Sequence, residues 1–309
     1  MAAELRGKRL EYIKAIETHA WDGTYYKAAT KDSGEWIGSS QCAEGKIHLN
    51  PQTWAILADI NNDAQDAQDT RGTDAAVSER GRAAWDAVRS KLLTAYGPLL
   101  VDPAYTVPDP TIGYITRYSP GSRENGGVYM HAANWALAAA CKVKDRASVD
   151  RIFDSISPPW RGRDAQNYFA EPYVMPGNVD GPLSDTPGRA GWTWYTGSAA
   201  WLNRVCMEWV LGIRPTWEGL LIDPVPPASL GKIQVTRHWR GTEFTFVFDA
   251  STFVEGVVPT LVVNGQNYRG NVIEAESLPS LGKKVRVEVS WSGVATVNMA
   301  RRQSTQPLG

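Results

Sequence analysis

Cysteine and histidine are scarce in this chain, with three and four residues respectively among 309. Cys42, Cys141 and Cys206 are widely spaced and odd in number, which excludes a dense disulfide framework. Cys141 and Cys206 fall in apolar helical runs and read as buried thiols, so a reducing cytoplasm is the expected compartment. No His/Cys/Asp cluster has ligand spacing, so no metal is expected. Charge of one sign is also lacking: 32 Lys and Arg face 33 Asp and Glu, a net of -1. That balance leaves no basic field for nucleic acid or anionic lipid. No apolar run approaches the roughly 20 residues of a membrane span. The first residues, MAAELRGKRLEYIKAIE, read as a charged amphipathic helix and lack the apolar segment of a secretory signal. Walker-type loops, Rossmann glycine motifs and a Gly-x-Ser-x-Gly elbow are missing as well. No organic cofactor is therefore expected.

Tryptophan, by contrast, is plentiful, with 13 residues. An indole offers a flat face to C–H groups and one N–H to a polar partner, which suits both cores and sugar sites. Roughly half of the tryptophans are assigned to the core, because Trp is often only partly buried.

The first two thirds read as helices, near 2–20, 51–60, 78–96, 131–143, 146–156 and 198–211. Asn50-Pro51 reads as an N-cap followed by a first-turn proline, and Gly97 and Gly212 as helix stops. The runs 131–141 and 198–211 are apolar almost all round, as helices buried in a larger assembly are. Residues 61–74 are polar and turn-rich and read as a solvated loop. The segments 98–130 and 157–197 are long, Pro/Gly-rich loops loaded with Tyr, Trp, Arg and Glu, the composition of functional loops. From about Ile213 the pattern alternates: Lys232–Arg237, Thr242–Phe248, Val257–Val263 and Lys283–Val289 read as half-buried strands, with Asn264-Gly265 as a hairpin turn. The expected division is a helical domain over 1–212 and an antiparallel β domain over 213–309, ending in a frayed tail over 301–309.

Two stretches carry chemistry. Arg123-Glu-Asn-Gly-Gly-Val-Tyr-Met-His131 and Gly191-Trp-Thr-Trp-Tyr-Thr-Gly-Ser198 each end where a helix begins. Each mixes glycines, aromatics and hydrogen-bonding groups, the composition of a pocket for a sugar and an anion. Thr196-Gly197-Ser198 opens an apolar helix with no acidic neighbour, so free N–H groups and the helix dipole favour phosphate there. The same three residues serve equally as an ordinary cap, their commoner use. His131 can donate to a phosphate oxygen, although a lone helical histidine is more often structural. Gly126-Gly127 permits a tight turn beside a ligand. Glu171, set by Pro172 after the polar aromatic stretch holding Gln166, can hold sugar hydroxyls or sit in a solvated turn. Glu44, Gln52 and Trp54 form a further polar and aromatic group around Asn50-Pro51.

Taken together, these pieces resemble the C-terminal part of the glycoside hydrolase family 94 phosphorylases, which include cellobiose, cellobionic acid and chitobiose phosphorylases and a domain of cyclic β-1,2-glucan synthases. The resemblance rests on AWDGTYYKAA (20–29), EGKIHLNPQTWA (44–55), GYITRYSPGSRENGGVYMHAANWA (113–136), AEPYVMPGNVDGP (170–182), GRAGWTWYTGSAAW (188–201) and WVLGIRPTWEGLLIDPVPP (209–227). They occur in family order and span almost the whole chain. The resemblance implies a mainly α chain with a C-terminal β domain: half of an (α/α)6 toroid followed by a small antiparallel β-sandwich. It implies inverting, reversible phosphorolysis of a β-linked gluco-disaccharide or oligosaccharide to an α-sugar 1-phosphate, with inorganic phosphate as co-substrate. By the same resemblance His131, Thr196 and Gly197 contact phosphate, while Glu124, Tyr129, Gln166 and Glu171 contact sugar. The family's general acid lies in a Gly-Asp-Trp-Asn-Asp loop that does not occur in this sequence, and Trp21-Asp22-Gly23 matches a later segment. Phosphate is already an anionic nucleophile, so such a site chiefly positions phosphate and supplies one acid, typically worth ~10²–10⁴-fold. These residues are therefore expected to be inactive or nearly so by themselves, and to partner a complementing N-terminal chain or a second copy. A non-catalytic carbohydrate-binding module and a fragment of a cyclic β-1,2-glucan synthase are the alternatives.

Overall fold

A computed structural model describes residues 1–58, 60 and 77–291, in two compact units, Met1–Val205 and Cys206–Gly309. The loop expected over 61–74 and the tail over 301–309 lie outside the described residues.

The first unit is built on helices. It begins with α1 (Ala2–His19), which buries none of its residues, so the amphipathic face expected there has no counterpart in burial. Two antiparallel pairs follow: β1 (Ala29–Thr30) with β2 (Trp36–Ile37), and β3 (Ile47–His48) with the distant β6 (Val101–Asp102). Then come α2 (Leu49–Leu57), α3 (Glu79–Lys91), and the pair β4 (Leu93–Thr94) and β5 (Gly97–Pro98). His48 precedes α2, which places Asn50 and Pro51 inside its first turn rather than at its cap. Proline is tolerated there because its missing N–H would have had no helical partner. Gly97 lies in β5, beyond the end of α3 at Lys91, and does not stop the helix.

At the centre stands α4 (Met130–Lys142). Its alanine-rich sequence has high helix propensity and small side chains that let neighbours approach closely. Eleven of its residues are buried, and α2, α5 (Arg146–Ile156) and α8 (Thr196–Val205) pack against it, with α3 behind α2. Asp145 links two of these helices. Its carboxylate caps α5 at Ser148 N–H (3.1 Å) and accepts from Trp85 Nε1 on α3 (2.9 Å). The short helices α6 (Pro158–Arg161) and α7 (Ala165–Tyr168) lie on the loop before α8. Within α8 the buried residues are Ser198 and Val205, while Ala199 and Ala200 are exposed. The run 198–211 is thus not buried all round as expected.

The second unit opens with a wide, π-helical turn over Cys206–Val210. Its strands β10 (Ile213–Pro215), β11 (Gly219–Ile222) and β16 (Val272–Glu274) form one sheet. A second sheet has the order β12 (Lys232–Trp239), β13 (Thr242–Asp249), β17 (Lys284–Ser290), β14 (Thr260–Val263) and β15 (Gln266–Tyr268), and α9 (Leu278–Leu281) precedes β17. Alternation in β13 buries Phe244, Phe246 and Phe248, whose rings stack at 5.6 and 6.1 Å, against Val285, Val287 and Val289 of β17. Asn264 and Gly265 both take positive φ (49° and 81°) between β14 and β15, the conformation a two-residue hairpin demands. The expectation of a purely antiparallel domain is corrected. β13 and β17 pair in parallel, Phe244 opposite Val285 and Phe248 opposite Val289. The physical reason is connection length: β14, β15 and β16 intervene between the two strands, which supplies the crossover that parallel pairing needs.

Of the thirteen tryptophans, Trp85 and Trp291 are buried, and Trp36, Trp54, Trp192, Trp194 and Trp217 are exposed. Trp21, Trp135, Trp160, Trp201, Trp209 and Trp239 are half-buried, and Trp21 and Trp239 pack against buried clusters.

Candidate functional site

A three-stranded ribbon holds the two sequence stretches together. β7 (Val128–Tyr129) pairs with β8 (Asn178–Val179), and β8 pairs with β9 (Ala190–Gly191). Further backbone bonds lengthen this frame: Met130 N–H to Gly177 O (3.0 Å), Tyr195 N–H to Met175 O (2.8 Å) and Gly181 N–H to Gly121 O (2.7 Å). The bond from Met130 also satisfies an amide at the start of α4, which has no side-chain cap. The ribbon therefore brings His131 and Thr196-Gly197 together from the ends of two long loops.

Gly197 and His131 meet there. A Cβ at position 197 would lie 2.7 Å from His131 Nε2, so glycine is what lets the imidazole edge reach the start of α8. Thr196 and Gly197 are exposed at that start. The first bond within the helical turn is from Ala199 N–H to Tyr195 O, so the amides of residues 196–198 precede it and form a positive helix end. Ser198 Oγ turns inward to Pro176 O and Tyr195 O, which fixes the turn and withdraws this hydroxyl from an anion. Burial lowers the His131 pKa, favouring neutral imidazole, and Nδ1 is buried without a hydrogen-bond partner among the described residues.

Aromatic rings surround this edge. Tyr129 stacks on His131 at 5.9 Å, Tyr195 meets it edge-on at 5.3 Å, and the two tyrosine hydroxyls are 2.9 Å apart. Burial, then the bond to Tyr195, raises the pKa of Tyr129, which keeps its phenol protonated. Tyr195 was not singled out from sequence; its place directly before Thr196-Gly197 was the available signal.

Glu124 and Arg123 form the adjoining wall. Arg123 Nε lies 3.7 Å from Glu124 Oε2, an oxygen that is buried and makes no hydrogen bond among the described residues. The Arg123 guanidinium is sandwiched between Tyr118 (4.4 Å) and Trp192 (4.1 Å). Glu171 accepts from Trp194 Nε1 at 3.0 Å, and Tyr173 packs edge-on against Trp194. Arg123, Phe169, Trp192 and Trp194 all adopt positive φ, between 54° and 60°. Strained backbone of this kind costs about 1–3 kcal/mol per residue and gathers at functional sites. Gln166 is exposed on the four-residue α7 and, among the described residues, forms no hydrogen bond with this cluster.

Asn125, also missed from sequence, fixes the loop that carries Arg123 and Glu124. Fully buried, it accepts from Tyr105 N–H (2.7 Å) and donates to Tyr105 O (2.8 Å) and Tyr118 O (2.7 Å). The arrangement offers a helix N-terminus and an imidazole for an anion, beside carboxylates and aromatic faces suited to a polyhydroxylated ligand. Among the described residues no cluster of three His, Cys, Asp or Glu side chains forms a metal site, and no helix is long and apolar enough to cross a membrane.

The chain is similar to proteins already known. Residues 6–212 match the family described as the glycosyl hydrolase 94 superfamily, catalytic domain. The chain is 30% identical over 275 residues to an N,N'-diacetylchitobiose phosphorylase of Vibrio proteolyticus, covering 88% of this chain and 32% of that protein. It is 28% identical over 272 residues to a solabiose phosphorylase of Paenibacillus borealis, covering 88% of this chain and 34% of the relative. A cyclic beta-(1,2)-glucan synthase, NdvB of Rhizobium meliloti (strain 1021), is 36% identical over 230 residues, 72% of this chain and 8% of the synthase. The chain thus spans about a third of the length of the phosphorylases it matches.

Proposed function

Because the chain belongs to the glycosyl hydrolase 94 superfamily, we propose that it carries the phosphate-binding side of a disaccharide or oligosaccharide phosphorylase site. The observation that carries this reading is the contact of the His131 edge with Gly197 at the start of α8. An incoming phosphate accepts from the Thr196 and Gly197 amides and from His131, which holds its nucleophilic oxygen toward the sugar's anomeric carbon. Glu124 and Glu171 accept sugar hydroxyls, Tyr129 donates, and Gln166 is the remaining sugar contact inherited from the resemblance. The reaction is reversible, inverting phosphorolysis of a β-linked gluco-disaccharide or oligosaccharide to an α-sugar 1-phosphate. Its leaving oxygen needs a proton, and the Gly-Asp-Trp-Asn-Asp loop that would supply one is not among these 309 residues. By themselves these residues therefore turn over little or no substrate.

The row formed by α2, α4 and α8, backed by α3 and α5, supports reading the first unit as half of an (α/α)6 toroid. The second unit, which begins at Cys206, holds the accompanying small β domain, whose strands start at Ile213. Exposed Ala199 and Ala200, and the mutually packed Trp54, Trp135 and Trp201, suit a face completed by further helices. Those helices lie outside these 309 residues, and a complementing N-terminal chain or a second copy is one proposed source of them. The match to NdvB favours one second reading, in which these residues are a portion of a cyclic β-1,2-glucan synthase.

Phosphate titration followed through the imidazole resonances tests the anion site. His131 signals shift on addition of phosphate, and those of His19, His48 and His238 do not. Failure of His131 to respond would remove the basis of the proposal. Formation of sugar 1-phosphate by the purified chain above a His131→Ala control would overturn the inference of inactivity.

A further inference from the structure

The first unit holds a separate concavity of about 910 Å³, between the segments 31–44 and 105–112. None of His131, Thr196, Gly197, Glu124, Tyr129, Gln166 or Glu171 lines it. We propose that this concavity is a second carbohydrate site, one that takes a neutral oligosaccharide. The inference goes beyond phosphorolysis and does not depend on it.

Size and lining both point to that ligand. Ligand pockets commonly run from about 300 to 1,000 Å³, so the space accommodates more than one sugar ring. Trp36 lines it with about a third of its surface exposed (36%), and its ring is polarised by the Lys27 ammonium 4.0 Å from the centroid. An exposed indole beside carboxylates is the pairing that reads a sugar's C–H face and its hydroxyls together.

Charge selects against other ligands. Among the described residues the lining holds three carboxylates, Glu35, Glu44 and Asp109, and one ammonium, Lys31. Lys31 is held by Asp109 (3.0 Å) and Glu35 (3.5 Å). An anion, phosphate included, would meet net negative charge with the one lining cation already engaged. The carboxylates retain lone pairs for sugar hydroxyls after satisfying their protein partners.

The floor is also fixed in advance. Thr106 binds Glu44 through both its N–H and its hydroxyl, and these bonds hold the Glu44 pKa down. Asp109 accepts from Thr111 N–H (2.8 Å), while its own N–H donates to Thr116 Oγ1 (2.8 Å). Groups already anchored lose little freedom on binding.

Cys42 lines the same concavity and provides a probe. Cys141 is buried, and burial pushes the Cys206 thiol up to about 11, so Cys42 is the thiol expected to alkylate first. The experiment measures iodoacetamide labelling at Cys42 by mass spectrometry, with and without cellotetraose or fully N-acetylated chitotetraose. Saturating sugar slows labelling on the order of fivefold or more, as mass action requires. The protection persists in His131→Ala and is lost in Trp36→Ala and in Val107→Arg, a change at an exposed lining residue. Inorganic phosphate gives no protection. Absence of protection by both sugars overturns the proposal, as does protection that survives both Trp36→Ala and Val107→Arg. Failure of the phosphate site would instead appear in the His131 resonances and leave the Cys42 result standing.

Discussion

Replacing Gly197 with alanine separates the anion site from the fold that carries it. The added Cβ would lie 2.7 Å from His131 Nε2 and 3.0 Å from Cε1. Carbon contacts settle at about 3.5–4.0 Å, so the imidazole must retreat on the order of 1 Å. A hydrogen bond from His131 to a phosphate oxygen does not survive such a retreat. Bonds to charged groups contribute about 1.5–3 kcal/mol, which corresponds to roughly 10- to 150-fold weaker phosphate binding. Stability moves little. The backbone at 197 is outside the left-handed region, and alanine is favoured over glycine in a helix by up to about 1 kcal/mol. That gain offsets part of the crowding.

Calorimetric phosphate titration at neutral pH, paired with urea unfolding, reads both quantities. The expected result is phosphate affinity lowered by at least about tenfold with unfolding free energy changed by under about 1 kcal/mol. If Gly197→Ala binds phosphate like the parent, His131 and the start of α8 do not share one ligand, and the reasoning fails.

Three further outcomes are expected. Asn125→Ala strands Tyr105 N–H and the carbonyls of Tyr105 and Tyr118, which should cost about 3 kcal/mol in urea unfolding, at about 1–3 kcal/mol per stranded group with partial rehydration; a loss below about 1 kcal/mol would refute the clasp. Burial depresses His48 from 6.5 to about 4, so the unfolded chain binds more protons between those values; stability is full above about 6.5 and falls by about 3 kcal/mol as pH drops through 4, a slope that should vanish in His48→Gln. Phe246→Ala, at a fully buried position stacked between Phe244 and Phe248, should destabilise the second unit by about 3–5 kcal/mol in thermal unfolding, and an effect under about 1 kcal/mol would contradict the packing described.

Periodicity and local signals carried much of the fold. The apolar run at 131–141 marked α4, and Asn264-Gly265 marked its hairpin, because each depends on neighbouring residues alone. Partner choice was less legible. Alternation assigns the buried face of β13 and β17 but does not say that they run parallel, since β14 to β16 decide that from between them. Likewise α8 has the composition of a buried helix, yet burial depends on what surrounds it. In the site, the glycines and His131 were visible as a pattern, whereas Asn125 was given no role beside the Gly126-Gly127 turn. Its role arises from Tyr105 and Tyr118, 20 and 7 residues away. Gln166 was assigned to sugar through the family resemblance, and it stands exposed on α7.

The phosphate and sugar sides of the proposed site are not independent, and the ribbon explains why. Its strands have two residues each, too few to persist alone. They persist because Met130, Gly177, Tyr195 and Gly181 continue the bonding beyond the strand ends. Tyr129 belongs to β7 and touches both His131 and Tyr195; Trp192 follows β9 and packs on Arg123. A shift of β8 relative to β7 or β9 would therefore move the imidazole and the guanidinium together. Phosphorolysis requires such coupling, because the attacking oxygen and the anomeric carbon must be aligned within a fraction of an ångström. The left-handed backbone at Arg123, Trp192 and Trp194 is consistent with that requirement. Three strained residues are maintained where a relaxed loop would leave the aromatic faces and the anion position free to move separately.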